Sequence, residues 1–102
     1  MHSMDPGLLV VLEAKPGKQQ ALAEFLNLGL ALVAREAGTR TWYAFRITDS
    51  SFGIYDSFEN EDGRQQHLSG PLSEALETVT KELLVKPPEI RQVDILAAKS
   101  SR

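Results

Sequence analysis

Leu8-Leu9-Val10-Val11-Leu12 is an unbroken apolar run closed by Lys15-Pro16-Gly17-Lys18, and a run that short ending in a turn predicts a strand buried on both faces. From Lys18 to Ala37 the rhythm changes: Leu22, Phe25, Leu26, Gly29, Leu30, Val33 and Ala37 recur at the spacing of one helix face, and Gly38 supplies the stop. Gln19, Glu24 and Arg35 fall on the other side, so this helix is expected to cover a sheet and meet water on its outer face. Thr39 to Thr48 and Phe52 to Phe58 are rich in β-branched and aromatic residues and flank Asp49-Ser50, which predicts a hairpin with a two-residue turn. That turn would set Ile47 opposite Phe52, Phe45 opposite Ile54, Tyr43 opposite Asp56 and Thr41 opposite Phe58 on one face. Trp42, Ala44 and Arg46 would then share the other face with Gly53, Tyr55 and Ser57.

A second helical region opens at Asn60 or Glu61, breaks at Gly70-Pro71 and resumes in a stripe of Leu72, Ala75, Leu76, Val79 and Leu83 before Pro87-Pro88 ends it. Ile90 to Ala98 forms a last strand, with Val93, Ile95 and Ala97 on one side. The order βαββαβ has one simple solution, a four-stranded antiparallel sheet with its helices on one face, the ferredoxin-like α+β arrangement. It is expected to fill residues 7–98 as a single domain, with 1–6 and 99–102 as tails. The uncovered sheet face would carry Trp42, Arg46, Tyr55 and Val93, and packing two copies sheet to sheet would hide it, so a homodimer is expected.

Charge narrows the partners: 11 Lys and Arg against 14 Asp and Glu leave a net charge of −3, which argues against a phosphate backbone. Ser51-Phe52-Gly53-Ile54-Tyr55 has a superficial likeness to the stacking motif of RNA-recognition domains. Ser50 and Ser57 stand where that motif needs a basic and an aromatic residue, so no nucleic-acid partner is expected. The chain has no Cys, which excludes disulfides, thiolate catalysis and Cys-ligated metal. Its two histidines are far apart in sequence and no nucleotide-binding glycine motif is present, so neither metal, heme nor flavin is expected. No apolar run is long enough to cross a bilayer and the first six residues do not read as a signal, which points to the cytoplasm and to no membrane partner.

His67 is the side chain best suited to take a proton near neutral pH, with a packed histidine beside the helix break as the plainer role. Tyr43 and Asp56, opposite each other on the helix-facing side in the expected register, would be polar groups in an apolar layer that need partners. Replacement of His67 by Ala is expected to leave the fold almost as stable.

Val11-Leu12-Glu13-Ala14-Lys15-Pro16-Gly17-Lys18, Arg35 through Ala44, Phe52-Gly53-Ile54-Tyr55-Asp56-Ser57-Phe58 and His67-Leu68-Ser69-Gly70 together resemble the antibiotic biosynthesis monooxygenase family, from the first strand to Ala98. The resemblance implies a dimeric α/β barrel with a pocket between sheet and helices in each protomer. It also implies oxygenation of a small aromatic, phenolic or quinol-like substrate without a cofactor, since an ionised phenol can itself reduce dioxygen. His67 and Asp56 would then be the catalytic pair, with Tyr43, Phe58, Ile54 and Arg64 around the substrate. Cofactor-free members carry a Trp and an Asn where this chain has Phe58 and Ile54, which removes two donors. Heme-degrading relatives need a Trp and an axial His at positions that fall near His67 and Glu77, a pattern this chain lacks. The other function consistent with these residues is a non-catalytic barrel that binds a small ligand or serves in stress response.

Overall fold

The structure, a computed structural model, describes residues 5–99. It opens with β1 (Asp5–Glu13), so Asp5 and Pro6, expected in a tail, are strand residues, while residues 1–4 and 100–102 of the expected tails lie outside the described ones. In the turn that follows, Pro16 fixes its own φ, Gly17 takes φ +82°, and Lys18 N donates to Lys15 O at 2.9 Å. A positive φ at the third position is what a type II turn demands, and glycine supplies it without strain.

α1 (Gln19–Val33) buries Leu22, Leu26, Gly29 and Val33 and stops short of the expected Ala37. Leu30, assigned to the core face from its spacing, is 56% exposed. β2 (Thr39–Arg46) and β3 (Ser51–Phe58) form the hairpin, α2 (Glu61–Leu68) and α3 (Pro71–Leu83) are the two halves of the second helical region, and β4 (Glu89–Ile95) closes the sheet. Asn60 accepts a bond from Gly63 N at 3.0 Å at the head of α2, and Pro71 starts α3 where its missing N–H costs nothing. The strand order is β2-β3-β1-β4 with every pair antiparallel. The expected ferredoxin-like α+β architecture is therefore the observed one. Its core lies between the sheet and the helices, where Val10, Leu12, Phe52 and Ile54 meet Leu22, Leu26 and Leu76.

The hairpin register differs from the expected one by a single residue. Ile47 N donates to Ser51 O at 2.8 Å, so the loop is Thr48-Asp49-Ser50, three residues rather than two. Thr48 Oγ1 accepts from Ser50 N and Ser51 N, and the Ser50 and Ser51 hydroxyls both donate to Glu13 at the end of β1. These side-chain bonds hold the longer turn in place. Arg46 consequently pairs with Phe52, Ala44 with Ile54, Tyr43 with Tyr55 and Trp42 with Asp56, with a bulge between Thr39 and Thr41. Because strand side chains alternate, a one-residue slip moves β2 from Thr41 onward to the opposite face, while the bulge keeps Thr39 on the helix side opposite Phe58. Trp42 packs against the core on the helix side instead of facing outward, and Tyr43, Phe45 and Ile47 take the open face with Tyr55. Trp42 and Arg46 therefore do not belong to the uncovered surface, which is more apolar than the sequence reading had it.

Candidate functional site

β3 is the element that sets the site. Its alternation sends Phe52, Ile54, Asp56 and Phe58 under the helices, all of them 3% exposed or less. Three of these are ordinary core residues; Asp56, with no exposed surface, is a carboxylate in an apolar layer. α2 crosses above it and brings His67, whose Nε2 lies 3.0 Å from Asp56 Oδ2 as a charge contact rather than an aligned hydrogen bond. On the other side of the imidazole, Nδ1 is 2.7 Å from Glu36 Oε1 in the segment between α1 and β2, and Thr39 Oγ1 donates to the same oxygen. Phe58 closes the cluster with its ring centre 5.2 Å from that of His67.

This approach of α2 to the α1–β2 segment depends on two glycines. A Cβ on Gly63 would sit 2.7 Å from Gly38 O, and one on Gly38 would sit 2.8 Å from Gly63 Cα. Glu59 N also donates to Gly38 O at 2.9 Å. Main chain rests directly on main chain, and that contact delivers Glu36 and His67 to one another.

Electrostatics follow from the burial. Burial disfavours charge on His67, but the bonds and charges of Asp56 and Glu36 outweigh it and raise the imidazole above its ordinary pKa. Burial also raises Asp56, against the contact with His67 and with some help from the charge on Glu36. His67 thus holds its proton more tightly than a free imidazole, and Asp56 holds its own more tightly than a free carboxyl group. Both carboxylate oxygens of Asp56, Glu36 Oε2 and Trp42 Nε1 are buried without a hydrogen-bond partner. The carboxylates approach opposite nitrogens of the ring and do not converge on one point, and among the described residues no cluster is set to hold a metal ion.

Of the six residues singled out from sequence, His67, Asp56 and Phe58 meet here, with Ile54 in the core two residues along β3. Tyr43 is not among them: it lies on the open face, stacked on Tyr55 at 6.2 Å. Arg64 is buried but committed, donating to Gly7 O at 3.1 Å and Val93 O at 3.2 Å while paired with Glu61, so it ties α2 to β1 and β4. Glu36 was missed. Its only sequence signal was position, an acidic residue just ahead of the Gly38-Thr39 lead into β2.

A second feature lies on the other side of α2. An open cleft of about 710 Å³ runs between α3 and β4, floored by Leu68, Leu76, Pro87, Pro88 and Ile90 and rimmed by Glu77 and Lys81. Ser73 stands in its wall and donates to His67 O at 3.0 Å, a hydrogen-bonded link between cleft and cluster.

A four-stranded antiparallel sheet with its helices on one face and a buried charge cluster beneath α2 defines the class: a ferredoxin-like α+β fold. The whole chain superposes on a protein of unknown function from Nitrosomonas europaea with 44% identity and a TM-score of 0.93, covering 100% of this chain and 99% of that one. Two proteins provisionally assigned as antibiotic biosynthesis monooxygenases also superpose. One, from Nitrosomonas europaea, is 14% identical over 98% of each chain with a TM-score of 0.83. The other, from Caulobacter crescentus, is 16% identical over 92% of each chain with a TM-score of 0.80. No family model matches the chain, and no curated protein does. The chain belongs to the family of the 44% identical Nitrosomonas protein and has the fold of the antibiotic biosynthesis monooxygenases.

Proposed function

We propose that this chain binds a small, flat phenolic or quinol-like molecule in the cleft between α3 and β4. The observation that carries this reading is the cleft itself, of ligand size and apolar on its floor, with Lys81 at the rim to meet a phenolate oxygen. A ligand present at 100 times its Kd should add about 2.7 kcal/mol of stability, or roughly 10 °C in Tm for a domain of this size. Ile90→Trp would fill the cleft and should abolish that shift for a panel of hydroquinones, naphthols and anthrones. If no member of the panel raises Tm, or if Ile90→Trp leaves the shift intact, the cleft is not the binding site.

Oxygenation of a ligand of this class without a cofactor is the second reading. Asp56 and His67 do not line the cleft, so this reading takes the ligand at the buried cluster instead, and the unpartnered buried atoms of Asp56 and Glu36 around His67 favour it. Asp56 would accept the substrate proton and His67, already charged, would orient the anion. The anion passes an electron to dioxygen, the two radicals join as a peroxide anion, Asp56 returns its proton to give the hydroperoxide, and loss of one water leaves a carbonyl where a CH2 had been. The register places an indole N–H on the helix side, which partly replaces the donors absent at Ile54 and Phe58. Oxygen uptake with an anthrone that falls at least tenfold in Asp56→Asn would support this reading, and ligand binding with no uptake would leave the chain a binding protein.

The homodimer also stands as a proposal, now through the face that carries Leu9, Val11, Tyr43, Phe45, Tyr55 and Val93. Tyr43 is 58% exposed and Phe45 40%, more aromatic surface than a lone sheet ordinarily shows to water. Tyr43→Arg with Phe45→Asp should convert a sedimenting dimer to monomer at about 10 μM, a loss of at least tenfold in association. An unchanged mass would refute that face.

A further inference from the structure

The outer surface of α1 does not match its expected role as a solvated face. Leu28 is 73% exposed, Leu30 56% and Leu32 37%, and from Phe25 to Ala34 the helix carries no charged residue. Residues advance about 100° each around a helix axis, which puts Glu24, Leu28, Ala31 and Leu32 on one stripe, and the helical φ and ψ of the C-cap Ala34 leave Arg35, in the turn just beyond α1, at the end of the same stripe. The stripe points away from the buried Leu22, Leu26, Gly29 and Val33. It also lies on the opposite side of the protomer from the open sheet face, so the sheet pairing would leave it uncovered.

We infer that this stripe is a second self-association surface, at which α1 packs antiparallel against α1 of another copy about a two-fold axis between Gly29 and Leu30. The charges select this occupant. A two-fold contact must be complementary to itself, and the stripe is: an acidic residue at one end, a basic residue at the other, and between them apolar side chains with the exposed Asn27 along one edge, opposite Leu32 of the other copy. Glu24 and Arg35 are about 16 Å apart along the axis at 1.5 Å per residue. An antiparallel copy centred on their midpoint sets Glu24 of each against Arg35 of the other, and Leu28 of each against Ala31 of the other. Both charged ends are available for this. Arg35 is exposed and in no ion pair among the described residues, and Glu24 accepts only from Gln20 at 3.1 Å. Ala31 between the leucines lets the two helices approach to the 8–10 Å of ordinary helix packing. One helix stripe buries less than the ~800 Å² per partner of a stable interface. The contact is therefore weak and concentration-dependent, and it would join sheet-paired dimers into a dimer of dimers.

Sedimentation in the Tyr43→Arg, Phe45→Asp background isolates this contact from the sheet pairing. The protein should pass from monomer to dimer as its concentration rises from about 10 to about 500 μM, the range that interfaces below the standard size occupy. Leu28→Glu should weaken that step roughly tenfold or more. Glu24→Arg and Arg35→Glu should each weaken it about three- to tenfold by opposing like charges, and the two together should restore it to within about twofold. The inference fails if association does not rise with concentration, if Leu28→Glu leaves it unchanged, or if the double reversal does not recover what the single ones lose. It fails as well if Leu28 proves to mediate binding to anionic phospholipid vesicles and not to a second copy.

Discussion

His67→Leu should destabilise the fold by about 3–5 kcal/mol near neutral pH, because it leaves Asp56 and Glu36 facing each other in an apolar layer without the cation between them. The sequence alone, with His67 as a packed residue beside a helix break, leads to the expectation that His67→Ala costs almost nothing. The pH dependence distinguishes the two. With its folded pKa raised, wild-type His67 contributes stability that is complete below the ordinary histidine value and is lost as pH rises through the raised one. Asp56 acts in the same direction: its folded pKa is also raised, so the native state holds that proton more tightly and stability falls as pH climbs out of the ordinary carboxyl range. In His67→Leu the unbalanced carboxylates can be relieved only by protonation, so the penalty should shrink sharply toward pH ~4. Replacing His67 and Asp56 together by Leu should recover a large part of it, since removing both buried charges is far cheaper than removing one. Urea unfolding across pH would measure all three, and a loss under about 1 kcal/mol in the single variant would mean that the cluster is not charged.

Gly63→Ala should be destabilising by about 1–3 kcal/mol or more, although helix propensity alone predicts a gain of about 1 kcal/mol for the same change. The two expectations have opposite signs, and the contact decides between them. The added Cβ meets the carbonyl oxygen of Gly38 at 2.7 Å, and its neighbours there are backbone, which cannot rotate aside. Gly38→Ala should behave alike for the same reason. Thermal melts of the two variants, with Gly17→Ala as a reference whose open surroundings leave only its positive φ to penalise, would settle the sign. A stabilised Gly63→Ala would show that the two segments are not in main-chain contact.

Most of the architecture was legible because each element carries its own period: the apolar run of β1, the helical stripes of α1 and α3, and the Gly70-Pro71 break that separates α2 from α3. The hairpin was legible as a hairpin but not in register, since Thr48 and Glu13 hold a three-residue turn through side-chain bonds that a list of turn-forming residues does not reveal. That single slip exchanged Trp42 and Arg46 for Tyr43 and its neighbours between the faces, and so misplaced one site residue, Tyr43, and two interface residues, Trp42 and Arg46. His67 and Asp56 could be nominated from their chemistry. Glu36 could not, because what recruits it is the Gly38–Gly63 crossing, a contact between segments with no shared pattern. Arg64 looked like a ligand group and is instead spent on the carbonyls of Gly7 and Val93.

The position of β1 at the centre of the sheet has a consequence in time. The hairpin of β2 and β3 can form within microseconds from adjacent chain, and β1 can join β3 soon after. β4 pairs only with β1, the two being the first and last strands of the chain. That closure has the largest loop entropy to overcome and comes late. Until it happens the second edge of β1, Leu8 to Leu12 included, is an unpaired apolar strand open to any other extended chain. The speed with which β4 arrives therefore governs how much of the protein is lost to aggregation during folding, and substitutions in β4 should lower recovery on refolding more than they lower the stability of the finished fold.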